Sequence, residues 1–140
     1  MKKKDVDFYF DIAKLAAARS SAIRLRVGGV VLDSDDNLVA FGYNGTPHNF
    51  SNECEYHGED RLITKDNVIH CEANLIAHAA RRGISINRGS VFLTHSPCMQ
   101  CASLLYQAGI RSVYFLDKFR TFEEMMSEFK DKLDFHWHES

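Results

Sequence analysis

The stretch SVYFLDKFRTFEEMMSEFKDKLDFHW, residues 112–137, decides the fold. Ser112 to Leu116 form an apolar run of strand length, and Leu133 to Trp137 alternate apolar and polar side chains as a strand does. Between them, Thr121 and Glu124 have the spacing of a capping box that opens a helix reaching about Lys132. Phe122, Met125, Met126 and Phe129 lie on one stripe of that helix and are expected in the core. A helix between two strands makes them parallel neighbours, whereas a hairpin would have made them antiparallel. In the last strand Phe135 and Trp137 should face the core, and His136 and His138 the solvent.

The same alternation runs upstream. Val91 to Thr94 is a short strand, and Pro97 opens a helix through Ala108 that closes at Gly109. Before that strand, Cys71 to Arg82 is a helix whose end, Gly83, suits a left-handed cap. Val27–Leu32 and Leu38–Gly42 are strand-like runs flanking the polar cluster Asp33-Ser34-Asp35-Asp36-Asn37, so they should pair as an antiparallel hairpin. A polar, glycine-bearing loop then runs from Tyr43 to about Asn67. At the start, Val6–Arg19 reads as a helix with Phe8, Ile12, Leu15 and Ala16 on one stripe. Strand–helix–strand–helix–strand order implies right-handed parallel crossovers. The expected class is α/β: a three-layer α/β/α fold around a five-stranded mixed sheet whose last two strands are parallel. No repeat, linker or low-complexity tract divides the chain, so a single domain over residues 1–140 is expected.

Composition narrows the function. The 140 residues carry 17 Lys+Arg against 19 Asp+Glu, a formal charge of −2, with 45% hydrophobic and 26% charged residues. Disordered chains lack this apolar content, and polynucleotide binders usually carry a net basic field. A polynucleotide partner is therefore not expected. No run approaches the ~20 apolar residues of a membrane helix, and Asp5, Asp7 and Asp11 interrupt the basic start as a signal peptide. A cytoplasmic, membrane-free location follows as an expectation, with Cys54, Cys71, Cys98 and Cys101 as ligands or buried thiols and not disulfides.

Two motifs carry chemistry: His70-Cys71-Glu72, and Pro97-Cys98-Met99-Gln100-Cys101. Cys98 and Cys101 share one face of a helix start and can chelate one ion, and His70 can add a nitrogen. One imidazole and two thiolates suit Zn²⁺, and three protein ligands leave a tetrahedral position open, as in catalytic sites. Helix N-termini favour thiolates there. Glu72 is placed to face the open position and shuttle a proton without binding the metal. Alone, a Cys-x-x-Cys is more often half of a structural zinc site or a redox pair; the combination with His-x-Glu and the preceding proline favours catalysis.

At these residues the chain resembles the cytidine deaminase superfamily over about Arg26 to Leu116. That resemblance implies hydrolytic loss of an exocyclic amine, with His70, Cys98 and Cys101 as ligands of one catalytic Zn²⁺ per chain and Glu72 as proton shuttle. The residue between His70 and Glu72 is usually alanine in relatives; here it is Cys71, whose backbone N–H is expected to do the work while its thiol packs as a small hydrophobe. Gly42-Tyr43-Asn44-Gly45, Glu72-Ala73-Asn74 and Gln107-Ala108-Gly109-Ile110 look like deoxycytidylate deaminases. The resemblance then implies dCMP as substrate and dUMP and ammonia as products, feeding thymidylate synthesis, with Glu72 protonating N3 and later the departing amine. It places Asn44 on the sugar 3′-hydroxyl and the Ser96 carbonyl on the substrate amine. Arg24 or Arg26 would hold the 5′-phosphate, or would be solvated charges beside a strand. It also implies a hexamer activated by dCTP and inhibited by dTTP, Mg²⁺ accompanying the triphosphate, with Gly42, Tyr43, Asn44 and Gly45 at the effector site, and Arg81 either there or, with Arg82, at an exposed helix end.

Cys54 and His57, with His48 and Glu53 or Glu55, are either a second zinc site or an ordinary solvated loop. Two further readings stand beside the first: a tRNA adenosine deaminase, which shares the zinc motifs but calls for a basic face, and a non-catalytic, zinc-stabilised nucleotide-binding regulator, which has no use for Glu72.

Overall fold

One side chain closes the first hairpin. Asp33 accepts hydrogen bonds from the N–H groups of Asp35 and Asn37, both at 2.9 Å, while Asp36 takes the left-handed φ of 63° that the turn requires. The computed structural model describes residues 1–139. In chain order its elements are α1 (Lys3–Ala17), β1 (Gly28–Leu32), β2 (Leu38–Tyr43), β3 (Glu55–His57), β4 (Leu62–Thr64), α2 (Cys71–Arg82), β5 (Ser90–His95), α3 (Met99–Gln107), β6 (Ser112–Asp117), α4 (Phe122–Phe129) and β7 (Asp134–Trp137). Five strands form one sheet in the order β2-β1-β5-β6-β7. β1 is antiparallel to β2 and β5, and β5, β6 and β7 are mutually parallel, as the helix-separated pattern requires.

Alternate residues of β1 serve two cores. Val30 and Leu32 join Phe10 and Phe92 on the α1 side, while Val31 joins Leu75, Ala79, Leu93, Leu105 and Val113 on the side of α2 and α3. Every residue of β1 is buried, which is why its run reads as continuously apolar. Gly83 ends α2 at φ 67°, the cap its sequence position implied.

Several expectations need correction. The buried face of α1 is Phe10, Ala13 and Ala16, whereas Phe8 and Leu15 are exposed. The reason is close approach: a Cβ on Gly28 would lie 2.2 Å from the Ala13 oxygen and 2.3 Å from the Ala17 nitrogen, so the helix rests on strand backbone and presents its small residues. Trp137 is half exposed, because β7 is an edge strand; its indole N–H donates to the Leu116 carbonyl at 3.0 Å instead of entering the core. His136 is exposed as expected, but half-buried His138 stacks on Phe10 with ring centroids 5.1 Å apart. Thr121 precedes α4 without capping it through its side chain, so the capping box does not form, and the helix ends at Phe129. The loop from Tyr43 also holds a hairpin, β3 paired with β4, whose three-residue strands are too short to leave a period.

Candidate active site

Strand directions bring four chain ends to one edge of the sheet. β5 and β6 finish there at His95 and Asp117, β2 finishes there at Tyr43, and β1 begins there at Gly28. Open α/β sheets bind ligands outside the carboxyl ends of their parallel strands. An isolated bridge between Gly45 and Ile69 then delivers the start of α2 to the same edge.

His70 and Cys98 are the N-cap residues of α2 and α3, both with extended backbone, and neither side chain caps its own helix. Such side chains ordinarily bond the unpaired amides of the first turn. Here they converge with Cys101, which lies three residues into its segment, so that all three ligand atoms fall within 4.8 Å of one another. His70 Nδ1 stands 3.7 Å from Cys98 Sγ and 3.3 Å from Cys101 Sγ. A tetrahedral zinc with bonds of ~2.3 Å to sulfur and ~2.0 Å to nitrogen sets those atoms about 3.5 Å apart. The donor set and its spacing therefore fit Zn²⁺. Which ring nitrogen faces the metal position, Nδ1, was not legible in the sequence.

The electrostatics agree. Hydrogen bonding from the Cys101 thiol, with help from His70, holds Cys98 well below the ordinary thiol range, while Cys101 is pushed up by the same contact and by burial. A cation bound between the two sulfurs would displace the proton of a thiol. Glu72, in the first turn of α2, is 4% exposed, and burial raises its carboxyl to about 7. A carboxyl near that value can accept and return a proton at neutral pH. Cys71 is fully buried, 3.4 Å from the Gly42 carbonyl, and burial pushes its thiol well up, which makes it an inert packing group.

A cleft of about 690 Å³ opens over these groups. His70, Cys71, Glu72, Ser96 and Cys98 line it, together with Asn44 and Arg24. The Asn44 amide is already held at both ends, accepting from the Val27 N–H at 2.9 Å and donating to the Leu25 carbonyl at 2.8 Å, which leaves one N–H for a ligand. Arg26 is not on the cleft; its Nε donates to the Ala22 carbonyl at 3.1 Å. Gly42 and Tyr43 pack on α2, their carbonyls accepting from Cys71 and Asn74, and Arg81 is exposed in the last turn of that helix. Cys54, His57 and His48 are not gathered: Cys54 is buried on the cleft wall with its sulfur 3.6 Å from the Asn52 carbonyl, and both histidines are exposed. Among the described residues, His70, Cys98 and Cys101 form the one such triad.

Sequence reading missed the wall made by Lys118, Phe119, Arg120 and Thr121. Its signal was position, since this loop leaves the carboxyl end of a parallel strand. The Phe119 N–H donates to Ser96 Oγ at 2.8 Å, and the Ser96 N–H donates to the Asp117 carbonyl at 2.9 Å, so the loop is tied to the segment just before the cysteines. The β3–β4 hairpin was missed too, and it contributes Glu55 and Thr64.

A parallel-ended sheet that presents an open His/Cys/Cys site beside a buried carboxylate is the arrangement of a hydrolytic zinc deaminase. Residues 3–117 match the family model described as the cytidine and deoxycytidylate deaminase zinc-binding region, and the chain belongs to that family. Human deoxycytidylate deaminase is 31% identical over 122 residues, covering 84% of this chain and 68% of the relative. ComE operon protein 2 of Bacillus subtilis is 31% identical over 117 residues, covering 81% of this chain and 60% of the relative. The chain thus spans roughly two-thirds of the length of these curated relatives. The crystal structure of dCMP deaminase from the cyanophage S-TIM5, in complex with dCMP and dUMP, superposes with a TM-score of 0.88 at 30% identity and covers 99% of both chains.

Proposed function

We propose that the protein hydrolyses dCMP to dUMP and ammonia. The observation that carries this reading is the metal-spaced triad beside a buried, proton-ready Glu72, in a chain that superposes over nearly its whole length on a dCMP deaminase solved with dCMP and dUMP. His70, Cys98 and Cys101 would hold the ion, which when bound would act as a Lewis acid that makes water nucleophilic at neutral pH. Glu72 takes a proton from a water at C4 and passes it to N3 of the base as the water oxygen bonds C4. Glu72 then takes the remaining proton of the new C4 hydroxyl and delivers it to the amine as the C4–N bond breaks and the C4 carbonyl forms, so one water is consumed for each ammonia released. Its burial in the first turn of α2 keeps competing solvent from the carboxyl. The backbone N–H of Cys71 and the carbonyl of Ser96 flank the reacting end of the base, and the spare N–H of Asn44 meets a sugar hydroxyl.

The chain acts as one deaminase domain over residues 1–140, in the cytoplasm and without a membrane partner; no helix among the described residues is long and apolar enough to cross one. Control by dCTP with Mg²⁺ and by dTTP, in a hexamer with Gly42 to Gly45 and Arg81 at the effector site, belongs to the same reading and rests on the family resemblance. Activity unchanged by either triphosphate would remove it. A tRNA adenosine deaminase is disfavoured by the charge of −2, and a non-catalytic regulator by a carboxylate buried at an open metal position.

Ammonia release measured side by side with dCMP, dCTP, cytidine, deoxycytidine and adenosine in tRNA tests the reading, with dCMP expected to be fastest. Glu72→Gln should keep fold and zinc while lowering kcat by about 10²- to 10⁴-fold, the usual worth of a positioned acid–base group. Turnover that survives this change sinks the mechanism.

A further inference from the structure

Of the asparagines in the chain, Asn44 alone is followed by glycine. That dipeptide is chemically fragile. The Gly45 nitrogen can lose its proton and attack Asn44 Cγ; the Cγ–Nδ2 bond breaks, ammonia leaves, and a cyclic imide remains. Water then opens the ring to aspartate or isoaspartate, so one water enters for each ammonia lost. Glycine has no side chain to hinder the attack. Closure needs a free Gly45 N–H and an Asn44 side chain that can turn toward it.

The fold denies both. The Gly45 N–H donates to the Ile69 carbonyl at 3.1 Å, and the Ile69 N–H donates back to the Gly45 carbonyl at 2.7 Å. Asn44 Oδ1 accepts from the Val27 N–H at 2.9 Å, and Nδ2 donates to the Leu25 carbonyl at 2.8 Å. The Asn44 backbone is pinned as well: its N–H donates to the Val27 carbonyl at 3.2 Å, and its carbonyl accepts from Ser20 Oγ at 2.8 Å. Nucleophile and electrophile are thus tied to different segments. Ile69 directly precedes His70, the N-cap of α2 that turns toward the metal position. One end of the Gly45–Ile69 bridge is therefore fastened by the ligand contact of His70.

We infer that Asn44-Gly45 is a spontaneous deamidation site latched shut by the Gly45–Ile69 bridge, and that emptying the triad of His70, Cys98 and Cys101 releases the latch. The product cannot latch again. A carboxylate at position 44 would set acceptor against acceptor at the Leu25 carbonyl, and isoaspartate would add a methylene to the backbone and shift Gly45 out of register with Ile69. Loss of the metal thereby becomes a covalent mark on the chain. The inference rests on the metal triad and stands apart from the identity of the substrate.

Mass spectrometry of the peptide holding residue 44 follows the amide becoming an acid in zinc-loaded protein, chelator-treated protein and the urea-unfolded chain, all at neutral pH. The loaded protein should be slowest, and the chelated protein at least about 10-fold faster, as for a local opening that the metal otherwise opposes. Ser20→Ala frees the Asn44 carbonyl without touching the triad, and should speed the reaction about 3- to 10-fold in the loaded, folded protein, with faster hydrogen exchange at the Gly45 amide. A Cβ at Gly45 would meet nothing within 4 Å, and its φ is not left-handed, so Gly45→Ala fits the fold and should lose most of the conversion even when unfolded. Loaded protein that deamidates as fast as the unfolded chain overturns the latch. Chelated protein as slow as the loaded form overturns the coupling to the metal. Quickened Gly45 exchange in Ser20→Ala with no added conversion overturns the role of the bridge.

Discussion

Replacing Ser96 with alanine separates two roles that the sequence merges at one residue. The substitution keeps the Ser96 carbonyl and its N–H bond to Asp117, and removes only the hydroxyl that accepts the Phe119 N–H at 2.8 Å. Ser96 is 3% exposed, so the orphaned amide would forfeit about 1–3 kcal/mol if the loop stayed in place. The loop has a cheaper course, because Lys118 and Arg120 are exposed and the segment can swing outward to hydrate that amide. The penalty then becomes a bias of ~1.5 kcal/mol toward an open loop, which lowers the binding-competent fraction up to about 10-fold. KM for dCMP should rise about 3- to 10-fold, kcat should stay within about 2-fold, and zinc content should not change. Steady-state kinetics, zinc analysis and hydrogen exchange at the Phe119 amide measure these together. The reasoning fails if Phe119 loses protection while KM stays put, or if kcat collapses at unchanged KM.

Three other outcomes follow from the same geometry. Zinc analysis should find one ion per chain, abolished by Cys101→Ala and untouched by the paired changes Cys54→Ser and His57→Ala, because only the His70 triad is gathered among the described residues. Gly28→Ala would drive a Cβ to 2.2 Å from the Ala13 oxygen and force α1 off the sheet, at about 3 kcal/mol and a fall in Tm of roughly 10 °C by thermal denaturation. Burial lowers the pKa of His95 below its ordinary 6.5, so the unfolded chain takes up that proton first and stability drains away as pH falls below 6.5. His95→Asn should therefore flatten the dependence of Tm on pH below 6.5, and an unchanged slope would count against the assignment.

The alternation of strands and helices was legible because each element is long enough to show its period: β6, α4 and β7 set the parallel half, and Asp33 to Asn37 set the hairpin. The metal triad was legible because its ligands occur in two short motifs, each at a helix start. What stayed hidden has a common cause. The rotation of α1 depends on the absence of a side chain at Gly28, a tertiary fact that a hydrophobic stripe does not encode. Trp137 depends on β7 being an edge, and strand order across a sheet is not a local property. Lys118, Phe119 and Arg120 carry no motif; they matter because the loop begins where a parallel strand ends. Arg26 looked as suitable as Arg24, and only the course of the segment before β1 sends one to the cleft and the other back to Ala22.

The metal position is made by withholding two helix caps. His70 and Cys98 occupy the N-cap sites of α2 and α3, where a side chain that bonded the first-turn amides would contribute about 1 kcal/mol to each helix. Turning both side chains away leaves those amides as a positive field at the site. The field favours thiolate at Cys98 without closing the fourth metal position. The same choice leaves the metal-free protein with two helices that have no side-chain cap. Zinc binding thus compensates a local weakness that exists because the site does, and metal affinity and stability in this protein are one equilibrium seen from two sides.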